Sequence, residues 1–325
     1  MPSSNPKISI VMPCYNRTEM LKRSIKSIID QSFSDFEFII IDDCSDIETK
    51  NLLRKYEIQD NRIKIFYNTK NRGPTYSFNK GIYYSKGNYI ARMDSDDISH
   101  KDRLKKQVEF LENNPKVFVV GTGVNIINHE DKVLNKLFFK QTAKELKEAL
   151  NYSNPIVNST FMANTKNYPK KLLYLHKIFY PADDYFKWYN LLHSNYLITN
   201  INEILLDLRV HKSESSINSR LQGLKTLLIQ KFFKLKQMTY SKNLQKNSLN
   251  EIDEINLFFK NLPSFAKPSK IEIFYFEHNN TEEIFKSSYW YFKLFLLLLY
   301  IRNFKDIILI YNLLIRIMIF KKSKK

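Results

Sequence analysis

Short apolar runs alternate with longer stretches in which apolar residues recur every three or four positions. Ile8-Ser9-Ile10-Val11-Met12 is the first run and stops at Pro13, as a buried strand would. Leu21, Ile25, Ile28 and Ile29 follow at helical spacing, with Thr18 placed as an N-cap. Residues 36–41 predict a second strand. Ser45 and Glu48 have capping-box spacing ahead of a helix with Leu52, Leu53 and Tyr56. Residues 63–67 read as strand, 75–84 as helix and 89–93 as strand. Leu104, Val108 and Leu111 mark a helix that ends near Pro115, and 117–120 resumes as strand. The alternation predicts an α/β fold: a mostly parallel sheet with helices on both faces. Such sheets bind ligands outside the carboxyl ends of their strands.

Two of those ends are acidic: Asp42-Asp43-Cys44-Ser45 and Asp94-Ser95-Asp96-Asp97. Carboxylates gathered at one sheet edge repel each other, so something positive must offset them. A divalent metal carrying a diphosphate does this; Mg²⁺ or Mn²⁺ takes one or two carboxylates plus phosphate oxygens. Turn-capping aspartates are the bland reading, and two clusters after two strands make it the weaker one. An EF-hand from Asp94 fails, because Ile98, Ser99 and Lys105 occupy the places of the required oxygen ligand, glycine and glutamate. Gly121-Thr122-Gly123 lacks the third glycine of a dinucleotide fingerprint, and there is no P-loop. Cys14 and Cys44 read as small buried residues rather than ligands.

These blocks together resemble glycosyltransferase family 2. Ile8–Arg17 (ISIVMPCYNR), Phe38–Ser45 (FIIIDDCS) and Tyr89–Ser99 (YIARMDSDDIS) carry the likeness. It continues through Arg103–Gly121, Asn154–Met162, Ala182–Trp188 (ADDYFKW) and Leu208–His211 (LRVH), covering roughly residues 7–215. The resemblance implies a GT-A fold and inverting sugar transfer from a nucleotide diphosphate. It implies that Pro13 and Tyr15 border the base and ribose, and that Asp43 accepts the uracil ring N–H. Asp42 is structural or supports that pocket, and Arg72 matches more loosely a basic residue near the base or diphosphate. Asp94 and Asp96 match the ends of the metal triplet around Ser95; Asp96 is the direct ligand, and Asp94 reaches the ribose or metal-bound water. Asp97 caps a helix or loop. The acidic pair Asp183-Asp184 precedes a helix with Trp188 and supplies the base for the acceptor hydroxyl. The usual pair is Glu-Asp with its second member as base, which favours Asp184 over Asp183. Arg209 and His211 fall near the diphosphate or metal. Cys44 stands where the family usually has glycine. The Gln-x-x-Arg-Trp motif of processive relatives is absent, which points to addition of a single sugar.

Composition then divides the chain. Of the net charge of +18, residues 221–325 contribute 18 basic against 8 acidic residues. Only one glycine, Gly223, lies beyond Gly123. We read residues 1–215 as the catalytic domain and 216–325 as a helical, basic region. Tyr289–Ile301 and residues 307–320 are apolar but interrupted by Lys293 and Arg316, so neither is a clean span. Apolar helices flanked by lysines suit an anionic membrane surface, contacted through residues 284–325; the alternative is packing on the catalytic domain. No nucleic-acid motif accompanies the charge. The first residues lack the apolar stretch of a signal peptide. The expectation is a cytoplasmic enzyme, peripheral on the inner face of the plasma membrane. Its partners are a nucleotide-sugar donor, most simply a UDP-sugar, and a glycan or lipid-linked glycan acceptor, with Mn²⁺ or Mg²⁺ as cofactor. Two other readings stay open: a sugar nucleotidyltransferase, and a non-catalytic membrane-surface adaptor with a degenerate transferase domain.

Overall fold

The computed structural model describes residues 5–175, 180, 182–211 and 226. The basic region at 216–325, with its proposed membrane contact at 284–325, therefore lies outside the described residues apart from residue 226. Among the described residues no helix is long and apolar enough to cross a membrane.

The apolar runs become the centre of one sheet. β1 (Ile8–Cys14), β2 (Phe36–Asp42), β3 (Ile63–Tyr67) and β4 (Tyr89–Arg92) are parallel, in the order β3-β2-β1-β4. Every residue of β1, β2 and β4 is buried, as a strand covered on both faces requires. The second half departs from the mostly parallel expectation. β6 (Val117–Ile127) joins through β8 (Met162–Asn164), which is antiparallel to both β4 and β6. β9 (Leu197–Arg209) then runs parallel to β6, while β7 (Val133–Leu137) and β5 (Ile98–Ser99) add antiparallel edges. The result is a mixed sheet of nine strands among the described residues.

Alternate side chains of each strand feed opposite cores. Ile8, Ile10 and Met12 pack with Leu21, Ile25 and Ile28 of α1 (Thr18–Ile29), Leu53 of α2 (Ile47–Gln59) and Leu104 and Val108 of α4 (Arg103–Asn113). Val11 and Ile90 face the other way, toward Phe78 and Ile82 of α3 (Pro74–Tyr84) and Trp188 of α6 (Asp183–His193). Gly81 lets α3 lie directly on β1: a Cβ there would sit 2.3 Å from Val11 Cγ1.

Two helix starts differ from expectation. Thr18 is the first residue of α1, and Arg17 is the N-cap residue, with φ 60°. α2 is capped by Asp46, whose carboxylate accepts the Thr49 N–H at 2.8 Å. Ser45 Oγ instead accepts the Asn16 N–H at 2.9 Å, so the hydroxyl joins two strand ends rather than capping a helix.

Candidate active site

The register Cys14↔Asp42↔Tyr67 brings the carboxyl ends of β1, β2 and β3 level, with β4 on the other side of β1. The loop from β1 thus lies between Asp42-Asp43 and Asp94–Asp97. Pro13 is buried at the end of β1, and Tyr15 beyond it is 48% exposed.

The first acidic cluster is neutralised by amides. Asp42 Oδ1 accepts the Ser45 N–H at 3.2 Å and so closes the turn in which Cys44 sits at φ 67°. A left-handed residue there explains why glycine suits this position. Asp43 is 3% exposed; it accepts Asn68 Nδ2 at 2.7 Å, the Arg72 N–H at 2.9 Å and the Gly73 N–H at 2.7 Å. Gly73, at φ 86°, permits the turn that presents these amides. With three bonds made, a carboxylate still has one lone-pair direction for a ligand N–H. The Arg72 guanidinium lies over the Tyr76 ring at 4.6 Å, beside this pocket.

The second cluster is neutralised by cations of the chain itself. Asp94 Oδ1 accepts Arg92 Nε at 2.9 Å. Asp96 Oδ2 lies 2.8 Å from both an Arg17 guanidinium nitrogen and His211 Nε2. Burial raises the Asp96 pKa, but the His211 hydrogen bond and the Arg17 charge outweigh it and hold this carboxyl below its ordinary value. Ser95 is half-buried between the two carboxylates. Asp97 does not cap a helix or loop through its carboxylate; it is 1% exposed and accepts the Arg209 N–H at 2.9 Å, clamping β9 to the turn. Burial, then the Asp96 and Asp94 charges, push its pKa well up. Arg103 is fully buried beneath; burial lowers its pKa to about 10, and it stays a cation at neutral pH.

Arg209 is placed differently from a phosphate ligand. Its side chain is fully buried, with Nε on Asp96 O at 2.8 Å and its other two nitrogens on Asn128 O and Asp131 Oδ1, each at 2.5 Å. All three nitrogens are spent inward, so it braces the Asp94–Asp97 turn from behind. His211 meets Asp96 directly.

The donor set fits a divalent ion that completes its shell with phosphate. Asp96 and His211 place one carboxylate oxygen and one imidazole nitrogen side by side, while no group of three or more acidic, histidine or cysteine side chains forms a closed cage among the described residues. Mn²⁺ and Mg²⁺ accept such oxygen and nitrogen donors alongside phosphate oxygens.

The acidic pair opens α6 without capping it; the N-cap residue is Ala182. Asp183 accepts the Thr75 hydroxyl at 2.5 Å on Oδ2 and the Asp184 N–H at 3.2 Å on Oδ1. Asp184 accepts Asn154 Nδ2 at 2.8 Å and the Tyr185 N–H at 2.7 Å. Burial, then the charge of Asp183, raises the Asp184 pKa to about 6, against the Tyr185 N–H and the cations Lys187 and Arg92. A carboxylate raised toward neutrality accepts a proton more readily than an ordinary one. Lys187, 3% exposed, lies 4.0 Å from the Trp188 ring and 4.1 Å from that of Phe161.

Several of these partners carried no assigned role in the sequence reading: Arg17, Asn68, Thr75, Arg92, Asn154 and Lys187. Arg17 had a positional signal, a basic residue in the loop after β1. Asn68, Thr75 and Asn154 are long-range partners that no periodicity reveals, while Arg92 and Lys187 lie within three residues of Asp94 and Asp184.

In sequence and in fold the chain is similar to known glycosyltransferases. The profile of the family described as "Glycosyl transferase family 2" matches residues 9–173. An uncharacterized glycosyltransferase of Methanocaldococcus jannaschii is 32% identical over 262 residues, 79% of this chain and 87% of that one. The putative teichuronic acid biosynthesis glycosyltransferase TuaG of Bacillus subtilis is 29% identical, over 70% of this chain and 89% of its own. The O-antigen biosynthesis glycosyltransferase WbnJ of Escherichia coli is 31% identical over 64% and 81%. Among solved structures, S. aureus TarS 1–349 in complex with UDP superposes with TM-score 0.52 and 20% identity over 67% of this chain and 65% of that one. The mannosyltransferase PcManGT of Pyrobaculum calidifontis, in complex with GDP-Man and Mn²⁺, gives TM-score 0.54 and 17% identity over 73% and 66%. These two share the fold, the GT-A arrangement of sheet and helices. By sequence and fold, the chain belongs to glycosyl transferase family 2.

Proposed function

We propose that the chain moves one sugar from a UDP-sugar to a hydroxyl of a glycan or lipid-linked glycan, by single displacement with inversion. The observation that carries this reading is the contrast within the acidic pair. Each accepts two hydrogen bonds, but Asp183 is buried against the Thr75 hydroxyl, while Asp184 is the more open of the two and is raised to about 6, the value expected of a base that works near neutrality. The attacking oxygen loses its proton to Asp184 Oδ as it bonds the anomeric carbon, and the bond to the diphosphate breaks on the opposite face.

Asp43, with Pro13, Tyr15 and Arg72 around it, holds the base. Asp94 and Ser95 border the ribose side. Asp96, aided by His211, would hold a divalent ion, which when bound neutralises charge on the departing diphosphate. The relatives with teichuronic acid and O-antigen in their names support a surface-glycan acceptor, and the TarS and PcManGT complexes support a nucleotide-sugar donor and a metal. A peripheral position on the inner face of the plasma membrane is part of this reading. A nucleotidyltransferase would need a glycine-rich basic loop at the end of β1, where Pro13-Cys14-Tyr15-Asn16 stands.

Titration calorimetry with UDP tests the donor assignment. Asp43→Ala is expected to weaken UDP binding by about 1–3 kcal/mol, the scale of a lost hydrogen bond to a charged group. Equal affinity of wild type for UDP and ADP, or unchanged UDP affinity in the variant, would remove Asp43 from base recognition.

A further inference from the structure

The nucleotide end and the base end of the site are joined by one short stretch of chain. Asp43 grips the amides of Arg72 and Gly73. Asn68 Nδ2 reinforces the grip by bridging Asp43 Oδ1 at 2.7 Å and Ser77 Oγ at 3.0 Å. Two residues past Gly73, Thr75 is 3% exposed on the first turn of α3, and its hydroxyl reaches Asp183 Oδ2. Asp183 Oδ1 in turn receives the Asp184 amide. The path Asp43–Gly73–Thr75–Asp183–Asp184 is thus continuous and buried for most of its length. α6 carries no side-chain N-cap; besides the amides of its own first turn, the Thr75 hydroxyl holds Asp183 and Asn154 Nδ2 holds Asp184.

We propose that Thr75 is a positioning residue for transfer: it sets the first turn of α6, and with it Asp184, against the turn that Asp43 grips. The inference rests on Asp184 as the base. Donor recognition and proton acceptance then share one rigid connection. A base displaced by about 1 Å loses roughly 10²-fold in rate without any loss of substrate contacts.

The test compares Thr75→Val, which keeps the shape and removes the donor, with Thr75→Ser, which keeps the hydroxyl. UDP affinity is read by calorimetry with Mn²⁺ present, and turnover with UDP-N-acetylglucosamine and UDP-glucose as donor probes. Thr75→Val is expected to lower kcat by about 10–100-fold with UDP affinity and donor KM within about twofold of wild type, and Thr75→Ser to restore most of kcat. In an Asp183→Leu background, Thr75→Val should add no further loss, because the two act as a unit. Three results overturn the proposal: an unchanged kcat in Thr75→Val, a parallel loss of UDP affinity, or full additivity with Asp183→Leu. If the valine variant does not fold, Thr75→Cys, a weaker donor, replaces it. A kcat below that of Thr75→Ser with equal UDP affinity supports the proposal, and an equal kcat overturns it. Asp184→Asn separates the two claims. If it retains turnover, the base assignment is wrong; if it loses turnover while Thr75→Val does not, only the role of Thr75 is wrong.

Discussion

Asp184→Asn should transfer sugar about 10²–10⁴-fold more slowly than wild type, the usual contribution of a positioned general base. The amide keeps the shape of the carboxylate, and its oxygen can still accept the Asn154 or Tyr185 N–H, but it cannot take a proton. UDP affinity should therefore survive, since none of the Asp43 contacts involve α6. The pH profile supplies a second limb. Burial and the neighbouring charge of Asp183 raise Asp184 to about 6. The base works only as a carboxylate, so kcat/KM for the acceptor should rise about tenfold per pH unit below that value and level off above it. Stability runs the opposite way: a carboxyl raised in the folded state favours its protonated form, so Asp184 stabilises the fold below its unfolded pKa and that contribution is lost as pH rises through about 6. Asp184→Asn should abolish the acidic limb of the rate profile. Wild-type turnover in the variant would move the base to Asp183 or elsewhere.

Asp96→Ala should be nearly as damaging, for a different reason. Asp96 is where Arg17 and His211 converge, and in the function we propose it is the carboxylate that holds a divalent ion beside the diphosphate. Loss of several kcal/mol of charge stabilisation on the leaving group corresponds to about 10³-fold in kcat. Binding gives a readout independent of turnover. In wild type, Mn²⁺ should strengthen UDP binding; in Asp96→Ala the affinity should no longer respond to Mn²⁺. Undiminished wild-type turnover in excess chelator would remove the metal from the account, whatever the variant does.

What the sequence disclosed was governed by the range of the interactions. β1, β2 and β4 were legible because strands buried on both faces must be continuous apolar runs. The acidic clusters were legible because they sit where those runs stop. Helix starts were less so. Ser45 has the spacing of a capping box, yet its hydroxyl is recruited by the Asn16 amide from another strand end, and Asp46 caps α2 instead. β8 was missed because it is short, β7 because it is exposed throughout and so lacks a buried apolar run, and β9 because only its end, Leu208–His211, carried a recognisable motif. The charge argument was right in kind and incomplete in detail. Carboxylates at one edge do require positive partners, but Arg17, Arg92 and the buried Arg103 supply part of that charge, and amides neutralise Asp43. Arg209 shows the limit: the family resemblance implies a residue near the diphosphate, and only the packed structure shows that its guanidinium is turned inward.

The central claim is a single displacement driven by a base on the face opposite the leaving diphosphate. The configuration of the product tests it most directly. With an α-linked UDP-sugar as donor and a hydroxyl acceptor, the proton coupling at the new anomeric carbon, read by NMR, should report a β-linkage. An α-linked product would contradict the account, because retention cannot arise from one displacement assisted by Asp184.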